Sequence, residues 1–277
     1  MPNGKKLKLA TWNINSIRIR LTDLKNLTKK HSPDIIALQE IKCANDAFPM
    51  DDVKKLGYEH VIVNGQKAYH GVAILSKIPI EQIAARDFNK SNDTRHLAVK
   101  IKPKNSRTKH PLILHNFYFP AGGDIPDRSA NPKFGQKLDY LTNLTKWFKS
   151  KSDLHSNKMI LVGDLNIAPL PTDVWSHKQL LKVVSHTPIE VDHLSKLQSS
   201  LNWHDVMRQF VHENEPLYTW WSYRAKDWRS SNKGRRLDHI WVTPSLAKSA
   251  TSMQVVDKMR DGAKTSDHAP VIAEFEI

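Results

Sequence analysis

The sequence predicts an α+β fold in which two packed, mainly antiparallel β-sheets are flanked by helices. Three observations lead there. Strand-like apolar runs recur in both halves of the 277 residues. The helical stretches between them do not alternate strictly with the strands, which disfavours a doubly wound parallel sheet. No internal repeat, low-complexity tract or clear linker divides the chain, so residues 1–277 are expected to form one domain.

The elements follow in order. Lys8 to Asn13 reads as a first strand and Leu21 to Lys30 as an amphipathic helix. Ile35 to Leu38, "IIAL", is a short buried strand. Tyr58 to Val63 and Val72 to Leu75 are strands split by the polar "NGQKAYHG". Leu97 to Ile101 and Leu112 to Phe117 are two more, joined by "KPKNSRTKHP", an exposed basic turn. "PAGGDIPDRSANPK" is a long loop rich in Pro and Gly, of the kind that carries function. Phe134 to Lys149 has helical spacing. Met159 to Val162 is a buried strand that ends in "GDLN". Val191 to Ser200 and Asp205 to His212 read as helices, and Arg236 to Val242 and Val271 to Phe275 as the last strands.

Composition narrows the function. No apolar run is long enough to span a membrane, and charges interrupt the N-terminus where a signal peptide would need an apolar segment. One cysteine, Cys43, excludes an intramolecular disulfide and suits a reducing, cytoplasmic compartment. The formal net charge of +14 predicts attraction to polyanions. The charge is uneven. From Ser222 to Arg236 there are six Lys or Arg residues against one Asp, interleaved with Tyr223 and Trp228. Such a stretch attracts a phosphate backbone and offers stacking surfaces.

Several strands end in polar residues. Asp164 and Asn166 follow one core strand, two positions apart and on one side of an extended chain. "LATWNIN" delivers Asn13 and Asn15, "IIALQE" Gln39 and Glu40, and "LILHNFYFP" Asn116 and Tyr118. Asp238 lies within "RRLDHIWV", and Asp267 and His268 precede the last strand. If these ends meet, the cleft can hydrolyse a phosphate ester. Glu40 is the best ligand for a hard cation such as magnesium. Asp164 with Asn166 can orient water and take its proton. Asp238 can hold His268 in one tautomer, and Tyr118 can donate to a non-bridging oxygen.

"WNINS", "LQEIK", "GVAILSK", "NFYFPAGG", "GDLNIAP", "RRLDHIWV" and "SDHAPV" occur here in the order found in the exonuclease III family of abasic-site endonucleases. The resemblance runs from about Leu9 to Phe275. It implies a four-layer, DNase I-like sandwich and a magnesium-dependent DNA repair nuclease, with manganese as a substitute ion. The implied reaction is hydrolysis 5′ to an abasic site in double-stranded DNA, with 3′–5′ exonuclease and 3′-phosphatase activity on blocked 3′ ends, by a monomer. The implied metal ligands are Asn13, Glu40, Asp164, Asn166 and Asp267. The implied catalytic groups are Tyr118, Asp164, Asn166, Asp238 and His268. Trp220, Leu237 and Arg235 fall where the family lines its abasic pocket, although some members carry an aromatic residue at the Arg235 position. Arg224 lies on the loop that relatives press into the duplex, and Arg229 and Lys233 are expected DNA contacts. Two rivals remain. A lipid-headgroup phosphoesterase leaves the basic aromatic segment unexplained, and a silent DNA-binding module leaves the filled polar positions without a purpose.

Overall fold

In the computed structural model, residues 6–101, 111–150, 158–225 and 227–277 are described. The expected basic turn 102–111 lies almost wholly outside them. The first sheet carries, in spatial order, β13 (Ala250–Val255), β14 (Val271–Glu276), β1 (Lys6–Asn13), β2 (Ile35–Gln39), β4 (Val72–Ser76) and β3 (His60–Asn64). The second carries β5 (Ile80–Ala84), β6 (His96–Ile101), β7 (Leu112–Tyr118), β8 (Lys158–Asp164), β12 (Asp238–Val242) and β9 (His204–Asp205). Strands β1 and β2 run parallel, as do β7 and β8, and the other neighbours run antiparallel. A small ribbon pairs β10 (Trp220–Trp221) with β11 (Gly234–Arg235).

The inner faces pack on each other. Leu9, Ile35 and Ile74 of the first sheet share one apolar cluster with Leu114, Ile160 and Ile240 of the second. The sheets are buried on both sides because helices cover the outer faces. On the first, α1 (Leu21–His31) sets Leu24 and Leu27, and the short α2 (Met50–Lys55) sets Val53, against Ile36 and Leu38. On the second, α3 (Pro132–Lys149) and α5 (Pro188–Ser199) bury Leu141, Leu144, Leu194 and Leu197 over Leu161 and Trp241. Shorter helices, α4 (His177–Leu180), α6 (Val206–Phe210) and α7 (Trp228–Ser231), punctuate the loops of the C-terminal half. The result is the expected four-layer sandwich.

One polar tie crosses the apolar interior. Gln39 Nε2 donates to Asn116 Oδ1 at 2.7 Å and to Thr11 Oγ1 at 3.0 Å. The Asn116 amide donates to the carbonyls of Leu38 and Ala73 at 2.9 and 3.0 Å. The amide nitrogens of both residues are thus satisfied, Gln39 Oε1 is left without a partner, and the tie fixes how the sheets register below the site.

Several elements differ from those expected. Strands β5 and β13 were not expected. Both are sheet edges, exposed along much of their length, so they lack the buried apolar run that marks a central strand. The helix expected over Asp205 to His212 is only α6, because Asp205 belongs to β9 and caps α6 by accepting from the amides of Met207 and Arg208. The strand expected from Arg236 begins at Asp238, since the Arg236 amide donates to the Asp173 carbonyl instead. Helix α5 starts at Pro188, earlier than Val191, where Thr187 and Glu190 form a capping box.

Candidate active site

The register brings the polar strand ends to one edge of the two sheets. In the second sheet Asp164 lies opposite Tyr118 on one side and Asp238 on the other. In the first, Asn13 lies beside Gln39, and Glu40 follows at once. Gly163 lets β7 and β8 approach closely at this edge. Its φ is +136°, and a Cβ there would sit 1.9 Å from the Phe117 carbonyl oxygen. Glu40 and Asn166 leave their strands in the left-handed region, with φ of 49° and 54°. Such backbone costs about 1–3 kcal/mol at a non-glycine residue and gathers at functional sites.

Asn13 joins the two sheets through one amide. Its Nδ2 donates to Glu40 Oε1 at 3.0 Å and to Asp164 Oδ2 at 2.9 Å. Asp164 Oδ1 accepts from the Asn166 amide nitrogen at 2.9 Å, and Asn166 Nδ2 donates to Asp164 Oδ2 at 3.1 Å. His268 Nδ1 lies 2.8 Å from Asp238 Oδ2, which also accepts from Thr219 Oγ1 at 2.6 Å. The other ring nitrogen, Nε2, is 3.7 Å from Asp164 Oδ2. The tautomer and orientation of His268 are thus fixed by the Asp238 contact. Tyr118 hydrogen-bonds Glu40 through its hydroxyl, and the Arg95 guanidinium lies 5.0 Å from its ring centroid.

The electrostatics divide the acids. Burial pushes the Asp164 carboxyl up to about 7, reinforced by Asp238 and Glu40 and opposed by His268. Burial also works against the imidazolium of His268, but Asp238 and Asp164 outweigh it and raise that group to about 10. Glu40 and Asp267 go the other way. Burial opposes their charge. The Lys42 ammonium, 2.8 Å from Glu40 Oε2, and the Asn13 and Tyr118 hydrogen bonds hold Glu40 below the ordinary carboxylate range. His268, Trp220 Nε1 at 2.9 Å and Asn15 Nδ2 at 2.9 Å do the same for Asp267.

This donor set fits a divalent cation of the hard class. Glu40 and Asp267 are kept ionised, and Asp164 is tied to Glu40 through the Asn13 amide. Asp164, Asp238 and His268 converge within 4.8 Å of one another. Asp238 Oδ2 is spent on His268 and Thr219, while Asp238 Oδ1 is buried without a partner; Glu40 is the carboxylate of the group that lines the cleft beside Asp164.

A cleft of about 770 Å³ opens over this edge. Glu40, Tyr118, Asp164, Asn166, Asp267 and His268 line it. So do Trp220, Leu237 and Arg235, and also Arg224 and Lys233. Asn13 and Asp238 lie fully buried behind that surface. Arg229 is not among the lining residues. It is bidentate to Asp261, paired with Asp257 and stacked on Trp228. The structure adds residues that the sequence reading did not single out. Lys42 sits two positions after Glu40, a spacing that signals the pair. Trp175 lines the cleft with Lys233 over its ring at 4.7 Å. Thr219 and Arg95 have no signal in sequence.

A model of the endonuclease/exonuclease/phosphatase family matches residues 10–268. The chain belongs to the endonuclease/exonuclease/phosphatase family. Within that family it is 32% identical to "Exodeoxyribonuclease III" of Haemophilus influenzae, over 98% of this chain and 100% of that one. It is 28% identical to "DNA repair nuclease APEX1" of Danio rerio, over 96% of this chain and 81% of that one. An AP endonuclease structure from Archaeoglobus fulgidus superposes with a TM-score of 0.86 at 33% identity, covering 98% of this chain and all of that one. A Neisseria 3′ phosphatase, NExo, solved with a product DNA hairpin, gives 0.84 at 30% identity, covering 98% and 100%. This endonuclease/exonuclease/phosphatase member is a nuclease hydrolase of the exodeoxyribonuclease III type.

Proposed function

We propose that the protein, a monomer of one domain in the cytoplasm, is a magnesium-dependent DNA repair nuclease that hydrolyses the phosphodiester 5′ to an abasic site in duplex DNA. It also trims blocked 3′ ends by 3′–5′ exonuclease and 3′-phosphatase action. The observation that carries this is the single cleft in which Asp164, its hydrogen-bonded Asn166, and the Asp238–His268 pair stand beside an apolar pocket and basic side chains.

Each residue has a task. Asp164, titrating near 7, takes the proton of a water that Asn166 helps to place. The water oxygen bonds to phosphorus, the phosphorus–O3′ bond breaks, and the 3′ oxygen takes a proton from solvent water to leave as a hydroxyl. His268, charged at neutral pH and steadied by Asp238, faces the growing negative charge of the phosphoryl group. Tyr118 donates to a non-bridging oxygen, while Asn13 keeps Glu40 and Asp164 at fixed spacing. Glu40 and Asp267, with Asn13, Asp164 and Asn166, would hold the magnesium ion, for which manganese can substitute; the ion supplies Lewis-acid polarisation of a phosphoryl oxygen. Trp220, Leu237 and Arg235 receive the abasic sugar, which is cheapest to flip where pairing is lost. Arg224 and Lys233 contact DNA around it, while Arg229 is already paired with Asp257 and Asp261.

The test is a duplex with one tetrahydrofuran abasic analogue, incubated with magnesium or EDTA. The expected product ends in a 3′-hydroxyl and forms only with the metal. A borohydride-trapped adduct, or phosphate release from an inositol polyphosphate without DNA cutting, overturns the reading.

A further inference from the structure

Arg235, half-buried in the cleft wall, differs from its neighbours Arg236 and Arg260 in leaving one terminal nitrogen, Nη2, without a hydrogen bond among the described residues. Its neighbour Arg236 is locked by Asp173 at 2.7 Å and Asp205 at 2.6 Å. Arg260 donates to the carbonyls of Ser266 and Trp221. Arg235 instead donates from Nη1 alone, to the Val184 carbonyl at 3.1 Å and Ser185 Oγ at 2.9 Å. Its Nε is buried without a partner. No ion pair holds Arg235 among the described residues, and burial weakens its charge more than distant Glu190 supports it.

The group is nevertheless rigidly placed. Its plane lies over the Trp220 ring, 5.2 Å from the centroid, and its backbone pairs with Trp220 across the β10–β11 ribbon. The same residue forms an isolated bridge with Val174. It lines the cleft between Trp175, Trp220 and Leu237. A guanidinium with an unused terminal nitrogen therefore stands against the Trp220 ring beside Leu237, and it cannot turn away without losing the ring and the Ser185 contact.

We propose that Arg235 is a specificity-determining residue that selects a sugar bearing an acceptor oxygen where the base has been lost. This rests on the abasic-site reading above and sharpens it. The natural abasic deoxyribose carries such an oxygen, as a C1′ hydroxyl in its ring form or an aldehyde when open. The tetrahydrofuran analogue has none. Once a bound sugar shuts water away from Nη2, the analogue leaves that donor unpaired and is rejected.

The experiment measures kcat/KM on two duplexes that differ only at the lesion, one natural abasic site made by uracil excision and one tetrahydrofuran. The wild-type protein is expected to prefer the natural site by about 10- to 100-fold. In Arg235→Met the ratio should fall to within about threefold of unity. Equal rates for the wild type overturn the inference and leave the abasic reading intact, so the outcome does not depend on whether the variant folds. A preference that survives unchanged in a folded Arg235→Met also overturns it. Failure to cut either duplex overturns the abasic reading and this inference together.

Discussion

The Lys137 ammonium, fully buried in α3, donates to the backbone carbonyl of Asn166 at 2.8 Å. It also donates to the Ala121 carbonyl at 3.2 Å and to Glu190 Oε1 at 2.5 Å. Glu190 in turn accepts from the Ser185 amide at 3.0 Å, and Ser185 Oγ accepts from Arg235. One buried ion pair therefore ties the long Pro/Gly loop, the left-handed Asn166 turn and the wall that carries Arg235.

Breaking that pair from one side should be costly. Lys137→Met leaves Glu190 charged and buried, which is expected to remove about 3–5 kcal/mol of stability. The double variant Lys137→Met/Glu190→Met removes both charges and should recover a large part of that loss. Urea unfolding of the four members of the cycle measures the coupling. Additive losses would show that the pair is not a unit.

The chemical step should separate two carboxylates. Asp164→Asn removes the group placed to take the water proton, and a fall in turnover of about 10²–10⁴-fold is expected, with DNA binding retained. Glu40→Ala should instead raise the magnesium concentration needed for half-maximal rate. Metal titrations of the two variants distinguish them. If Asp164→Asn keeps more than about a tenth of the wild-type turnover, its role as base is wrong.

Much of this site was legible because strand ends are punctuated in sequence. "GDLN" placed Asp164 and Asn166 after an apolar run, and the structure puts both on the cleft at the edge where β7 and β8 end and β12 begins. Asp238 was legible for a different reason: a carboxylate inside an apolar strand needs a partner, and His268 lies against it. Lys137 and Thr219 were not legible. Both are polar residues within patterns that read equally well as surface positions, and only the packing of distant segments buries them. The edge strands β5 and β13 escaped for the converse reason, since exposure erases the apolar signature. Arg229 read as a free cation in sequence because Asp257 and Asp261, which hold it, lie about thirty residues away.

Buried neutral histidines should make stability fall in acid. Burial depresses His115 and His239 to about 3, well below the ordinary 6.5. A depressed histidine contributes stability that is complete above about 6.5 and is lost as the pH falls toward its folded value. Between pH 7 and 5 that is about 2 kcal/mol for each. Asp164, raised to about 7, acts in the opposite sense over this window, and His268, raised to about 10, loses its contribution only above 6.5. The measurement is therefore a difference. His239→Gln should reduce the change in unfolding free energy between pH 7 and 5 by about 2 kcal/mol relative to wild type. An unchanged pH dependence would mean that His239 titrates in the folded protein near its unfolded value.

The basic side chains of the cleft should divide by what they already touch. With a net charge of +14, binding to intact duplex should weaken steeply as salt rises. Lys233 lines the cleft, so Lys233→Ala should weaken intact and abasic duplexes alike and lower the salt slope by about one unit. Arg229 is committed to Asp257 and Asp261, and Arg229→Ala should change the slope by less than Lys233→Ala does. Arg224 is exposed on the turn after Trp221 and lines the same cleft. If it enters the helix beside the flipped sugar, Arg224→Ala should reduce the preference for abasic over intact duplex. Titrations of both duplexes at several salt concentrations read all three. Equal losses on the two duplexes for Arg224→Ala would make that residue one more phosphate contact.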